Sequence, residues 1–217
     1  MKYIGLKTFT QDYKLQDLRF IPWKLVYPSA VWHMPGSEKK IYLSFDDGPI
    51  PNVTPWVLSL LKQFNAKATF FCVGENAATH PEIIQDILAG NHSIGNHTYH
   101  HLNGWRTSTK KYLENVEQCK QVLPPTKLFR PPYGKLKLSH YSLITSHYSL
   151  IMWDVLSKDY DQNISPEKCF RNVLSKTKAG SIVVFHDSLK AKKNLYYTLP
   201  KVLEHFTKEG FEFSSII

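Results

Sequence analysis

From about residue 40 onward, short runs rich in β-branched and aromatic residues alternate with longer segments whose apolar positions recur at helical spacing. The strand-like runs are IYLSF (41–45), ATFFCV (68–73), HSIG (92–95), KLF (127–129), YSLIMW (148–153), SIVVF (181–185) and FEFSSI (211–216). Helices are expected at about 54–64, 81–90, 108–122, 136–146, 166–178 and 195–208. Two of them open with a hydroxyl followed by proline, Thr54-Pro55 and Ser165-Pro166, which is the N-cap and N1 chemistry of a helix start. Over 108–122, Tyr112, Val116 and Cys119 fall on one helical face with polar residues between them. Strands alternating with helices in this way predict an α/β domain with a mostly parallel sheet, either a barrel or an open doubly wound sheet. HYSLI occurs at 140–144 and again at 147–151. The first copy is expected on a helix and the second on a strand, so the repeat carries no architecture. Residues 1–39 contain IPW, YPS and HMPG without clear periodicity, and read as an N-terminal extension packing on a domain that spans 40–217.

Composition narrows the picture only slightly. The 217 residues, 42% hydrophobic and 21% charged, suit one soluble domain whose core needs no disulfide for stability. Three separated cysteines (Cys72, Cys119, Cys169) form neither a disulfide framework nor a zinc-thiolate site, and are expected to be buried free thiols. The net charge of +9 raises the question of an acidic partner. Its lysines are scattered, however, and there is no nucleic-acid motif, so a solvated surface accounts for the charge. No apolar run approaches the ~18 residues of a membrane helix. The start also lacks the apolar stretch of a signal peptide. The chain as given therefore reads as cytoplasmic, with membrane or cell-wall association left open. Oligomeric state is not legible.

Chemistry collects where the strands end. Asp46 and Asp47 follow the first, in SFDDGP. His97 and His101 follow the third, in NHTYHH; Arg130 and Tyr133 follow the fourth, in RPPYG. DVLSKDY, with Asp154 and Asp159, follows the run at 148–153, and His186 and Asp187 follow the run at 181–185. Parallel strands deliver all their C-terminal ends to one face, where sites in α/β proteins form. Two histidines at i and i+4 can project together from a helical turn and share a metal, although His100 leaves the choice of pair open. A carboxylate from another strand end completes a two-His, one-carboxylate set, a set shared by zinc hydrolases and non-haem iron oxygenases. Adjacent residues at a strand end point different ways, so one of Asp46 and Asp47 can ligate while the other faces substrate as a base. Arg130 is a candidate partner for the free carboxylate.

SFDDGP, HTYHH, RPPYG, DVLSKDY and VVFHD, in that order, together with ATFFCVG, resemble the motifs of the polysaccharide deacetylases, carbohydrate esterase family 4 or NodB homology domain. The resemblance covers roughly 40–217. It implies a distorted (β/α)7 barrel with a single divalent metal ion, most often zinc, with cobalt, nickel or manganese as substitutes. It implies Asp46 as general base, Asp47, His97 and His101 as metal ligands, and His186 as general acid. Arg130 would hold Asp46, Asp159 would orient His186, and the Tyr133 backbone N–H would donate to an oxyanion. In the family the functional Asp of the fourth motif precedes a Trp, which selects Asp159 over Asp154; here that position is Tyr160. Val184 replaces the usual Leu of the acyl pocket, and Ser44 a usual Thr. The implied activity is removal of N-acetyl groups from N-acetylglucosamine units of peptidoglycan, chitooligosaccharide or a lipid-linked sugar. Related reactions on small imides, formamides or acetyl esters are the alternative, followed by non-catalytic sugar binding.

Overall fold

The structure, a computed structural model, describes residues 23–36 and 38–217. At its centre lies β1 (Lys40–Asp46), paired in parallel with β2 (Ala68–Cys72) on one side and β7 (Ile182–His186) on the other. The sheet continues through β3 (Ser93–Asn96), β4 (Leu128–Phe129) and β5 (Ser149–Leu150) beyond β2, and through β6 (Val155–Leu156) beyond β7. Every one of these pairings is parallel. A short β8 (Glu212–Phe213) pairs with the start of β1. β5 and β6 are consecutive in the chain yet form the two edges of the sheet, and no ladder joins them among the described residues. The result is the curled, incompletely closed α/β barrel that the resemblance implied.

Burial explains the arrangement. Leu43, Phe45, Phe70, Val183 and Phe185 are fully or almost fully buried, with Phe45 stacked between Phe70 and Phe185. Each such side chain contributes about 1.5–3 kcal/mol by leaving water. Central strands covered on both faces read as continuous apolar runs, which is why they are legible as IYLSF, ATFFC and SIVVF. Around them pack α2 (Thr54–Gln63), α3 (Gly74–Thr79), α4 (Pro81–Ala89), α5 (Thr109–Val122), α6 (Leu138–Thr145), α7 (Pro166–Leu174) and α8 (Lys192–Lys208). The three cysteines are buried and free. The two HYSLI copies fall on α6 and on β5 with its flanks.

Three expectations about elements change. The run 148–153 is not one strand: it breaks after Leu150 and resumes as β6 against a different neighbour. The break has a cause, because the Ile151 and Met152 carbonyls accept from the Arg130 guanidinium at 3.1 Å each. Helix α3 is additional, separated by the single residue His80 from α4, which opens on Pro81. Ser165 caps α7 as expected, accepting from the Lys168 N–H at 3.2 Å. Thr54 is instead the first residue inside α2, and its hydroxyl accepts from the Ile50 N–H and donates to Asp187 at 2.5 Å.

The residues before β1 span the open seam. Helix α1 (Trp23–Val26) sets Trp23 against Tyr27 and Trp105. Val31 bridges Ile151 beside β5, and His33 bridges Ser181 just before β7. An edge strand with unpaired backbone is thereby covered by the chain's own preceding segment. Residues 1–22, part of the expected extension, lie outside the described residues.

Candidate active site

The parallel register of β1 and β7 sets Asp46 directly beside His186. Both are last residues of their strands, so their side chains emerge on the same side at the C-terminal end of the sheet. A cavity of about 610 Å³ opens there, lined by Asp46, Asp47, His97, His101, Tyr133, Trp153, Tyr160, Val184 and His186, among others.

Arg130, fully buried, organises the first half. Its Nη1 donates to Asp46 Oδ1 and to Ser44 Oγ, both at 2.7 Å, and its face lies 4.0 Å from the Phe71 ring centre. Ser44 passes the contact on, donating to the Val183 carbonyl at 3.1 Å. The serine of SFDDGP therefore helps seat the arginine. Asp46 Oδ2 makes no hydrogen bond among the described residues, leaving one carboxylate oxygen uncommitted beside the cavity.

Asp47, His97 and His101 converge to within metal-ligating range of one another. Asp47 Oδ1 is 3.1 Å from His101 Nε2 and 3.9 Å from His97 Nε2. His97 Nδ1 donates to the Arg130 carbonyl at 2.7 Å, which fixes its tautomer and leaves Nε2 as the lone-pair nitrogen. His101 Nδ1 contacts the Tyr133 hydroxyl at 3.1 Å. Burial pushes the His97 pKa down to about 4, so the ring is neutral at pH 7, as a ligand must be. Burial tends to raise the Asp47 pKa, but the His101 hydrogen bond and the neighbouring imidazoles hold it well below the usual carboxylate range. Two imidazoles and a carboxylate, with both Nε2 atoms turned toward one carboxylate oxygen, fit a divalent cation.

The local backbone differs from the expected helical turn. Residues 97–101 form a loop in which Thr98 and His101 both have left-handed φ, 62° and 52°. Asn115 of α5 holds that loop, accepting from the Tyr99 and His100 N–H groups at 2.9 and 3.0 Å. Its amide nitrogen donates to His100 Nδ1 at 2.7 Å, so His100 is engaged away from the other two histidines. Asp47 (82°) and Tyr133 (62°) are left-handed as well, a concentration of sparsely populated backbone typical of functional sites. Asn76 of α3 donates to the Asp47 carbonyl at 2.8 Å, and Asp187 accepts from the Gly48 N–H at 3.0 Å. Both fix the Asp-Asp-Gly turn from outside the cavity. Asn76 and Asn115 carried no signal in the sequence beyond their residue type.

The second half is a carboxylate–imidazole dyad. Fully buried Asp159 accepts from the His186 backbone N–H at 2.7 Å and from its Nδ1 at 2.8 Å. Ser157 Oγ and the Tyr160 N–H add further donors at 2.9 and 3.1 Å. Burial alone would lower the His186 pKa; the Asp159 carboxylate outweighs it and lifts the pKa to about 9. The Tyr160 ring meets His186 edge-on at 4.8 Å, and Val184 pairs in register with Leu156. Leu156 and Trp153 also line the cavity and were missed: Trp153 lay in the run read as a strand at 148–153, and Leu156 carries no polar group that would single it out after it. The Tyr133 N–H has no backbone acceptor among the described residues.

Asp154 is elsewhere. It accepts from the Ile182 N–H at 2.8 Å, from Ser181 Oγ at 3.1 Å and pairs with His33 at 2.8 Å. Ile182 is the first residue of β7, so Asp154 sits at the end of the sheet opposite the cavity.

The family model described as Polysaccharide deacetylase matches residues 33–147. Peptidoglycan-N-acetylglucosamine deacetylase of Bacillus cereus is 32% identical over 194 residues, covering 86% of this chain and 91% of that protein. Chitooligosaccharide deacetylase of Azorhizobium caulinodans is 29% identical over 160 residues, 70% of this chain and 75% of its own. Among solved structures, a peptidoglycan N-acetylglucosamine deacetylase crystallised with an N-oxidanyl-benzamide superposes with a TM-score of 0.84 at 28% identity, covering 91% and 95% of the two chains. A family 4 carbohydrate esterase from Streptomyces lividans, solved with acetate, gives 0.74 at 25% identity over 84% and 95%. By the family match and by its relatives, this chain belongs to the polysaccharide deacetylases.

Proposed function

We propose that the protein is a metal-dependent N-deacetylase acting on N-acetylglucosamine units of a glycan. The observation that carries the reading is the meeting, in one cavity, of an arginine-paired carboxylate, a two-His, one-carboxylate triad and a carboxylate-held imidazole. The names of the relatives support the substrate class.

Asp47, His97 and His101 would hold the ion, and two imidazoles with one carboxylate favour zinc, with cobalt, nickel or manganese as alternatives. Such an ion supplies Lewis acidity toward the amide carbonyl and lowers the pKa of water. The uncommitted oxygen of Asp46 accepts the proton from the attacking water. The free Tyr133 N–H donates to the oxyanion as it develops, where a preorganised donor matters most. An amine leaves poorly unless protonated. His186, held charged by Asp159, gives its proton to the departing nitrogen. Tyr160, Val184, Leu156 and Trp153 wall the space for the acyl group.

The test is acetate release from N-acetylated chitooligosaccharides by zinc-loaded protein, with and without a chelator. Chelator-sensitive release is expected. Absence of release from these and from peptidoglycan fragments, with acetyl esters or formamides cleaved instead, would overturn the substrate assignment.

A further inference from the structure

In a parallel sheet, the helix after a strand starts at that strand's C-terminal end. Helices α5, α6 and α8 therefore open on the face that carries the cavity. Their openings are basic. Lys110 and Lys111 lie in the first turn of α5, Lys135 and Lys137 precede α6, and α8 begins with Lys192 and Lys193 just after Lys190. None of the three has an acid in its first turn. A helix N-terminus carries partial positive charge, so these lysines sit where the helix disfavours them. By contrast α3, α4 and α7 hold glutamates there, Glu75, Glu82 and Glu167. Lys110 reaches Glu114 at 4.0 Å, and Lys137 donates to the Thr107 carbonyl at 2.7 Å. The exposed Lys111, Lys190, Lys192 and Lys193 have no carboxylate partner among the described residues.

Apolar side chains stand among these cations. Leu189 lies between Ser188 and Lys190, both of which line the cavity, and is 64% exposed. Leu138, the first residue of α6, follows cavity-lining Lys135 by three positions and is also 64% exposed. Two leucines presented to water beside unpaired lysines narrow the choice of partner. A polyanion in solution would pair with the lysines and leave both leucines hydrated. A bilayer surface satisfies both: lipid phosphates meet the ammoniums while the leucines reach the boundary of the acyl chains. The long lysine stem lets its charge stay at headgroup level as a neighbouring leucine goes deeper.

We propose that this face docks on an anionic lipid bilayer. Leu138 and Leu189 enter the interface, and Lys111, Lys190, Lys192 and Lys193 meet lipid phosphates, so the cavity mouth is held at the membrane surface. The docking stands or falls separately from the deacetylase reading, because its readout is binding and not hydrolysis. Each lysine near such a surface is worth about fivefold in vesicle affinity, an effect that weakens with salt.

The test is co-sedimentation of the full chain with vesicles of phosphatidylcholine alone and of phosphatidylcholine with about 30% phosphatidylglycerol. Binding to the anionic vesicles, reduced by salt, is expected. K111Q/K192Q/K193Q should lose about fivefold in affinity per lysine, and L138S/L189S about tenfold at unchanged charge. K62Q/K176Q/K178Q removes the same charge from exposed positions at the end of α2 and after α7, at the opposite end of the sheet, and is expected to bind better than K111Q/K192Q/K193Q. The thermal midpoint of K111Q/K192Q/K193Q should equal or exceed that of the wild type, since two helix openings lose a disfavoured charge. A polarity-sensitive dye on L189C, the three native thiols being buried, is expected to shift to the blue on anionic vesicles. No sedimentation with anionic vesicles at low salt overturns the proposal, as does equal loss of binding in the two lysine triples. Full binding by L138S/L189S with an unshifted L189C dye assigns the face to a soluble polyanion and overturns the bilayer.

Discussion

Arg130 Nη1 lies 2.7 Å from Asp46 Oδ1, with the arginine fully buried and the aspartate 4% exposed. The guanidinium's other donors go to Ser44 Oγ and to the Ile151 and Met152 carbonyls, so a single side chain joins β1, β4 and the seam after β5. Four hydrogen bonds in a planar fork cannot be reproduced by an ammonium.

Replacing this arginine is expected to cost stability as well as activity. Arg130→Met leaves the buried Asp46 carboxyl without its partner, a loss of about 3–5 kcal/mol. Arg130→Lys should recover only part of it. Urea unfolding of the three proteins checks this, and equal midpoints for wild type and Arg130→Met would contradict it.

The proposed proton donation by His186 would give a pH signature. The donor must be charged, so turnover falls as pH rises through its pKa, which Asp159 lifts to about 9 against the effect of burial. In Asp159→Asn that lift is gone while burial remains, and the alkaline limb of kcat should move to lower pH. A cation at the triad pulls the limb down in both proteins, so the difference between them is the readout. An unmoved limb would assign the acid elsewhere.

Asn115 holds the His97–His101 loop through two backbone amides. Asn115→Ala should weaken metal binding by about tenfold, the lower end of what is seen when an outer supporting group is lost. Competition with a chromogenic chelator measures it. Unchanged affinity would mean that the loop holds its shape without α5.

Acid stability is expected to depend on His92, far from the cavity. It accepts from the Ala68 N–H at 3.2 Å, and burial, with Lys67 adding to it, lowers its pKa to about 4. A neutral buried histidine stabilises the fold above its unfolded pKa of about 6.5, and that contribution disappears as pH falls toward about 4. Wild type should therefore lose more stability than His92→Gln across that interval, as followed by unfolding at pH 7 and pH 4.5.

What the sequence made legible follows from burial. β1, β2 and β7 are covered on both faces and appear as continuous apolar runs, so their ends, and with them Asp46, Asp47 and His186, were found directly. The segment around Trp153 was misread because its apolar pattern is a strand's, while its carbonyls are committed to Arg130, a contact 21 residues away in sequence. Spacing suggested that His97 and His101 meet, but through a helical turn; the two left-handed residues that bring them together leave no periodic trace. Asp154 and Asp159 were indistinguishable by composition, and the motif resemblance chose Asp159. The fold separates them by placing one at each end of the sheet.

The question raised by adjacent aspartates at the end of β1 can be put to one measurement. Metal content and acetate release are determined together for wild type, Asp46→Asn and His101→Ala. If Asp47 is the ligand and Asp46 the base, Asp46→Asn retains the metal and loses acetate release by at least about a hundredfold, whereas His101→Ala loses both. Near-normal turnover in Asp46→Asn, or loss of its metal, would contradict that division of labour.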